Sequence, residues 1–196
     1  MTENAASHDR HVCPVWVGWL MASPLRRLRQ DPEEILAPHT TPGMCVLDIG
    51  CAMGFFSLPL ARMVGPNGRV ICVDLQQKML NGCVRRARRK GLADRIETRL
   101  CQPDSLDVAD FAERVDFALA FAVVHEVPDR SKFFMELHAA LRPQSRVLVA
   151  EPKGRVPLPS FEMSVAAAKK CGFVVVEGPE IARSYAVILE KQRRRF

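Results

Sequence analysis

From Met44 onward, short apolar runs alternate with amphipathic segments, and this rhythm is the strongest restriction on how the chain folds. A strand followed by a covering helix, repeated several times, builds a parallel sheet with helices packed on its faces. The spacing predicts strands over 45–49, 69–74, 95–100, 115–121 and 145–150. Helices are predicted over 54–64, 76–90, 104–112 and 130–141, closed by turn segments such as "GPNG" and "RPQS". The rhythm then changes. "SFEMSVAAAKKCG" reads as a helix ending at Gly172, and "FVVVEGPEI" and "SYAVILE" as two strands separated by a short link. A parallel crossover needs a longer connection, so these two strands are expected to form an antiparallel hairpin at the sheet edge. The expected fold class is α/β, doubly wound.

A chain of 196 residues with 48% hydrophobic and 26% charged residues fits one domain with a sizeable core. No apolar run is long enough to span a membrane, and the first residues do not read as a secretory leader, so a cytoplasmic protein is expected. Residues 1–43 differ in kind from the rest, with "PVWVGWL" and "SPLRRL" reading as short helices broken by prolines. They are expected to form a cap over the C-terminal edge of the sheet, leaving 44–196 as the domain proper.

The seven cysteines are scattered, with no CxxC pair and no histidine at zinc-site spacing, so no metal is expected and most thiols read as small core residues. The net charge of +6 comes largely from "RRARRK" and "KQRRRF". The first run fits the solvated last turn of a helix and the second a terminus. No aromatic residues are interleaved to stack on bases, so a nucleic-acid partner is not favoured.

The stretch "VLDIGCAMGFF" carries the ligand chemistry. A strand ending near Asp48 and Gly50, with a helix opening near Gly54, brings backbone close to whatever lies above the strand. A dinucleotide fingerprint needs glycines at 50, 52 and 55, where the chain has Gly50, Ala52 and Phe55. A P-loop is excluded by the lack of GKS or GKT. The second strand ends in Asp74, whose carboxylate suits a vicinal diol such as that of a ribose.

"VLDIGCAMGFFSLPLA" resembles motif I of the class I S-adenosylmethionine (SAM)-dependent methyltransferases, and the remaining motifs follow in the family's order. Within the class, the chain is most similar to small methyltransferases related to the ubiquinone and menaquinone C-methylating enzymes. The resemblance implies a Rossmann-like, seven-stranded sheet of order 3-2-1-4-5-7-6 with the last strand antiparallel. It also implies SAM as cofactor, held by Asp48, Gly50, Cys51, Ala52 and Gly54 of the loop and by Asp74 and Leu75. Ala52 replaces the middle glycine and is expected to sit in a turn that needs no positive φ there. In "CQPDSL", Gln102 stands where the family commonly has an aspartate facing the adenine amine, with Pro103 and Asp104 beside it. Ala120 and Phe121 fall in the motif that lines the methionine portion.

The resemblance implies a methyltransferase and leaves its acceptor open. If a hydroxyl or an activated carbon is methylated, a proton must leave, and His125 with Glu126, following the fourth strand, is placed to take it. Glu151, ending the fifth strand, lies at the same edge. Trp16 and Trp19 are read as a hydrophobic lid, and His11 and Cys13 as residues of the acceptor pocket mouth. A small-molecule acceptor is expected; an RNA or protein acceptor and a non-catalytic SAM-binding protein are the alternatives.

Overall fold

The structure, a computed structural model, describes residues 30–192. Seven strands form one sheet of order β3-β2-β1-β4-β5-β7-β6. They are β1 (Cys45–Ile49), β2 (Arg69–Asp74), β3 (Ile96–Leu100), β4 (Val115–Phe121), β5 (Leu141–Pro152), β6 (Phe173–Glu177) and β7 (Ser184–Lys191). β1 lies at the centre, parallel to β2 and β4, with Leu47 opposite Ile71 on one side and Ala118 on the other. β7 is antiparallel to β6, as the short link predicts, and also to β5.

The alternation of side chains along each strand feeds two cores. Val46, Cys72, Phe117, Leu119 and Leu148 pack on one face with residues of α1 (Pro32–Leu36), α2 (Ser57–Met63) and α3 (Gln77–Arg89). Leu47, Ile71, Ala118 and Val147 pack on the other with α4 (Arg130–Ala140) and α5 (Leu158–Lys170). Helices on both faces leave the strands buried on both sides, which is why β1 reads as an almost unbroken apolar run.

Several local expectations are corrected. The segment 104–112 forms only a short 3-10 turn, Ala109–Phe111. Val108 and Phe111 are buried, but Asp107 and Glu113 take positive φ and break the helical path. The helix expected from residue 54 begins at Ser57, because the loop to Gly54 still turns with positive φ. β5 starts earlier than expected and carries an irregularity where Val115 pairs Leu141 but Phe117 pairs Arg146. Within residues 30–43, Leu36 is fully buried, His39 stacks on Phe117 with centroids 5.5 Å apart, and Glu33 pairs with Arg62. Trp16, Trp19, His11 and Cys13 lie outside the described residues, as do the last four residues of the arginine-rich tail.

Candidate active site

The site is built at the carboxyl ends of β1, β2, β4 and β5, where open α/β sheets bind ligands. After β1 the backbone doubles back: the amides of Gly50 and Cys51 both donate to the Val73 carbonyl, at 2.9 and 3.1 Å. Gly50 has φ +70°, and a Cβ there would lie 2.8 Å from Val123 Cγ2. Ala52 also has positive φ, 46°, so the expectation of an ordinary turn at that position is overturned. Ala52 sits in a tight loop in which Gly50 and Gly54 also take positive φ, and its amide donates to Asp74 Oδ2 at 2.9 Å.

Asp74 is buried at the end of β2, and its other oxygen accepts from Gln76 N at 2.9 Å. Burial raises its pKa, opposed by these two backbone donors. It lines a cavity of about 280 Å³ whose wall also carries Gly50, Ala52, Leu75, Gln102, Pro103, Asp104 and Phe121. Met79, 2% exposed, forms part of the floor. Four expected cofactor residues do not line the cavity. Asp48 is buried and accepts a 2.5 Å hydrogen bond from the Ser57 hydroxyl, tying β1 to α2. Cys51 and Gly54 pack against the α2 and α3 side, where a Cβ on Gly54 would meet Cys83 Sγ at 2.7 Å. Ala120 is fully buried in the opposite core. These four shape the loop and sheet beneath the cavity.

Other residues on the wall carry no motif. Glu136, in the middle of α4, accepts from Leu106 N at 2.6 Å and from the Ser105 hydroxyl at 3.2 Å, holding the loop after β3. Gln30 bonds to the Ala182 carbonyl at 3.1 Å. Both line the cavity, as does Arg155, and no local pattern marks them in sequence. Asp104, at the rim, is 3.0 Å from Lys132, whose ammonium lowers its pKa through their hydrogen bond.

His125, Glu126 and Glu151 come together. The His125 amide donates to Glu151 Oε1 at 3.1 Å, and its Nδ1 lies 2.6 Å from Oε2 of the same carboxylate. Glu151 is 1% exposed. A carboxylate at that distance accepts a ring proton from Nδ1, so that in the neutral imidazole the lone pair is on Nε2. Nε2 is buried without a hydrogen-bond partner among the described residues, 3.7 Å from Glu126 Oε1. Burial raises the Glu126 pKa against the opposing pull of His125 and Arg155.

The "RRARRK" run closes α3 as expected, with Arg85, Arg88, Arg89 and Lys90 exposed. Arg86 turns inward and donates to the Met53 carbonyl, bracing the glycine loop from α3.

The sheet order, glycine turn and strand-end carboxylate together define a Rossmann-like, SAM-binding methyltransferase fold. The sequence matches the family model described as "Methyltransferase domain" over residues 40–189. The chain belongs to that family, the SAM-dependent methyltransferases. It is 35% identical to an arsenite methyltransferase of Halobacterium salinarum over 60% of this chain and 29% of that protein. It is 31% identical to nocamycin O-methyltransferase of Saccharothrix syringae over 68% of this chain and 46% of the other. The chain therefore spans less than half the length of these two curated relatives. A UbiE C-methyltransferase of Brucella canis is 27% identical over 89% of this chain and 65% of its own length. In fold, the chain matches a SAM-dependent methyltransferase from Aquifex aeolicus with TM-score 0.80 and 24% identity, over 91% of this chain and 99% of the other. No described helix is long and apolar enough to cross a membrane.

The residues present fit the family's cofactor. Each oxygen of Asp74 keeps acceptor capacity for a ribose diol after its backbone hydrogen bond. A Cβ at Gly50 would strike Val123, so the close-packed turn beside the cavity needs a glycine. Asp74, Asp104, Glu126, Asp129 and Glu136 on the wall, against Arg155, suit a cationic sulfonium.

Proposed function

We propose that the protein is a cytoplasmic methyltransferase that methylates a small molecule at a hydroxyl or activated carbon, with His125 as general base. The observation that carries this reading is the buried, unpartnered Nε2 of His125 on the cavity wall, its ring fixed from behind by Glu151. SAM, bound against Gly50, Ala52 and Asp74 with Gln102 toward the adenine, would supply an electrophilic methyl group. The protein's own work is then to orient the acceptor, exclude water and accept one proton at Nε2. Glu151 is the positioning residue: it holds the tautomer and stabilises the imidazolium that forms. Trp16, Trp19, His11 and Cys13 are proposed to complete the acceptor side.

Calorimetric titration of the full chain with SAM and, separately, with NAD tests the cofactor. Binding of SAM alone is expected; binding of NAD alone or of neither overturns the reading. With an acceptor found by screening phenols and carbon acids, His125→Asn is expected to lower kcat about 10²-fold or more while SAM affinity is retained. An unchanged kcat removes His125 from the mechanism.

A further inference from the structure

A second cavity, about 270 Å³, adjoins the first and shares His125, Glu126 and Arg155 with it. Its remaining wall is the loop after β5 and the start of α5: Val156, Pro157 and Ser160. The imidazole thus stands between two spaces, each near the small end of the ~300–1,000 Å³ typical of ligand pockets.

The polar groups of the second space are unevenly distributed. On the α5 side are donors. The Ser160 hydroxyl accepts from Arg130 Nη2 at 2.9 Å, which leaves its proton free to donate elsewhere. The side chain of Arg155 is 57% exposed, and its guanidinium is only loosely paired, 3.6 Å from Glu126. No side chain caps α5, so the positive end of its dipole adds to the same side. His125, whose Nε2 has no hydrogen-bond partner among the described residues, lines the same space, with the Glu126 carboxylate 3.7 Å from that nitrogen. A ligand complementary to this arrangement has an ionisable hydroxyl at one end and acceptor oxygens at the other.

We infer that this second cavity is the acceptor subsite, and that it takes a small hydroxy acid: the hydroxyl on His125 Nε2, the carboxylate on Arg155 and the Ser160 hydroxyl. The inference rests on the proposed methyl-transfer reading and names its substrate class. Arg155 is the group that discriminates, since a planar guanidinium matches a carboxylate in two parallel hydrogen bonds and gains much less from a neutral amide.

The probes are 3-hydroxybenzoate and its neutral analogue 3-hydroxybenzamide, titrated by NMR into the full chain with and without saturating S-adenosylhomocysteine. The acid is expected to bind at least tenfold more tightly than the amide, and Arg155→Met to abolish that preference. Ser160→Ala, at a residue that does not line the first cavity, is expected to weaken the acid several-fold while SAM affinity stays within twofold. Equal binding of acid and amide, a preference that survives Arg155→Met, or binding of neither probe overturns the subsite. Failure to bind SAM overturns the cofactor reading instead, and the titration without nucleoside still decides the subsite.

Discussion

At the scale of single residues, the loop after β1 separates two uses of positive φ. Gly50 needs it and also lacks space for a side chain, so Gly50→Val carries about 1–2 kcal/mol of backbone strain and displaces Val123. A lowered Tm with severely weakened SAM binding in calorimetry is the expected result. Ala52 takes a similar conformation with a Cβ. Replacing it by glycine relieves strain of the same size but loosens the unfolded chain by about 0.4–1 kcal/mol. Ala52→Gly is therefore expected to be between neutral and about 1.6 kcal/mol more stable in urea denaturation, with SAM binding retained. Glu126 supplies a pH dependence. Its folded-state pKa is raised above the ordinary 4.5 by burial, so the folded protein holds this proton more tightly than the unfolded chain does. Its contribution is then most favourable at low pH and is lost as pH rises from about 4.5 through the folded value. Relative to wild type, Glu126→Gln should gain stability between pH 4 and pH 7, measured by thermal unfolding across that range.

At the scale of elements, helix ends and strand ends do the positioning. Asp129 caps α4 through Ser131 N at 2.9 Å and Lys132 N at 3.0 Å, so Asp129→Ala should cost about 1 kcal/mol in denaturant unfolding. The strands were legible because each is a short apolar run bounded by turn residues, and β1, β2 and β4 fall where the alternation places them. The segment 104–112 misled because Val108 and Phe111 have helical spacing yet are buried from a loop that Glu136 anchors. That anchor comes from another helix, and no local pattern records it. The same distinction holds in the site. Asp74 was readable because a carboxylate ending the second strand has a fixed place in this fold. Asp48, three residues from Cys51, was drawn toward the ligand by the motif, whereas its partner is Ser57 on α2. The His125–Glu151 contact joins the turn after β4 to the end of β5, 26 positions on, and the topology is what turns them into a pair.

At the scale of the whole molecule, the order of synthesis and the order in the sheet disagree at one place. β7 is made last of the seven strands yet lies between β5 and β6, pairing with seven residues of β5 from Arg146 to Pro152. Until Ser184–Lys191 leaves the ribosome, β5 keeps an open apolar edge and β6 has no strand to join. Unpaired edges of this kind recruit other chains. The half of the sheet proposed to hold the cofactor, β1 to β4, can assemble during translation, but closure beside Glu151 waits for β7. The nascent sheet is thus exposed to aggregation until β7 inserts, at the edge of β5 that it covers.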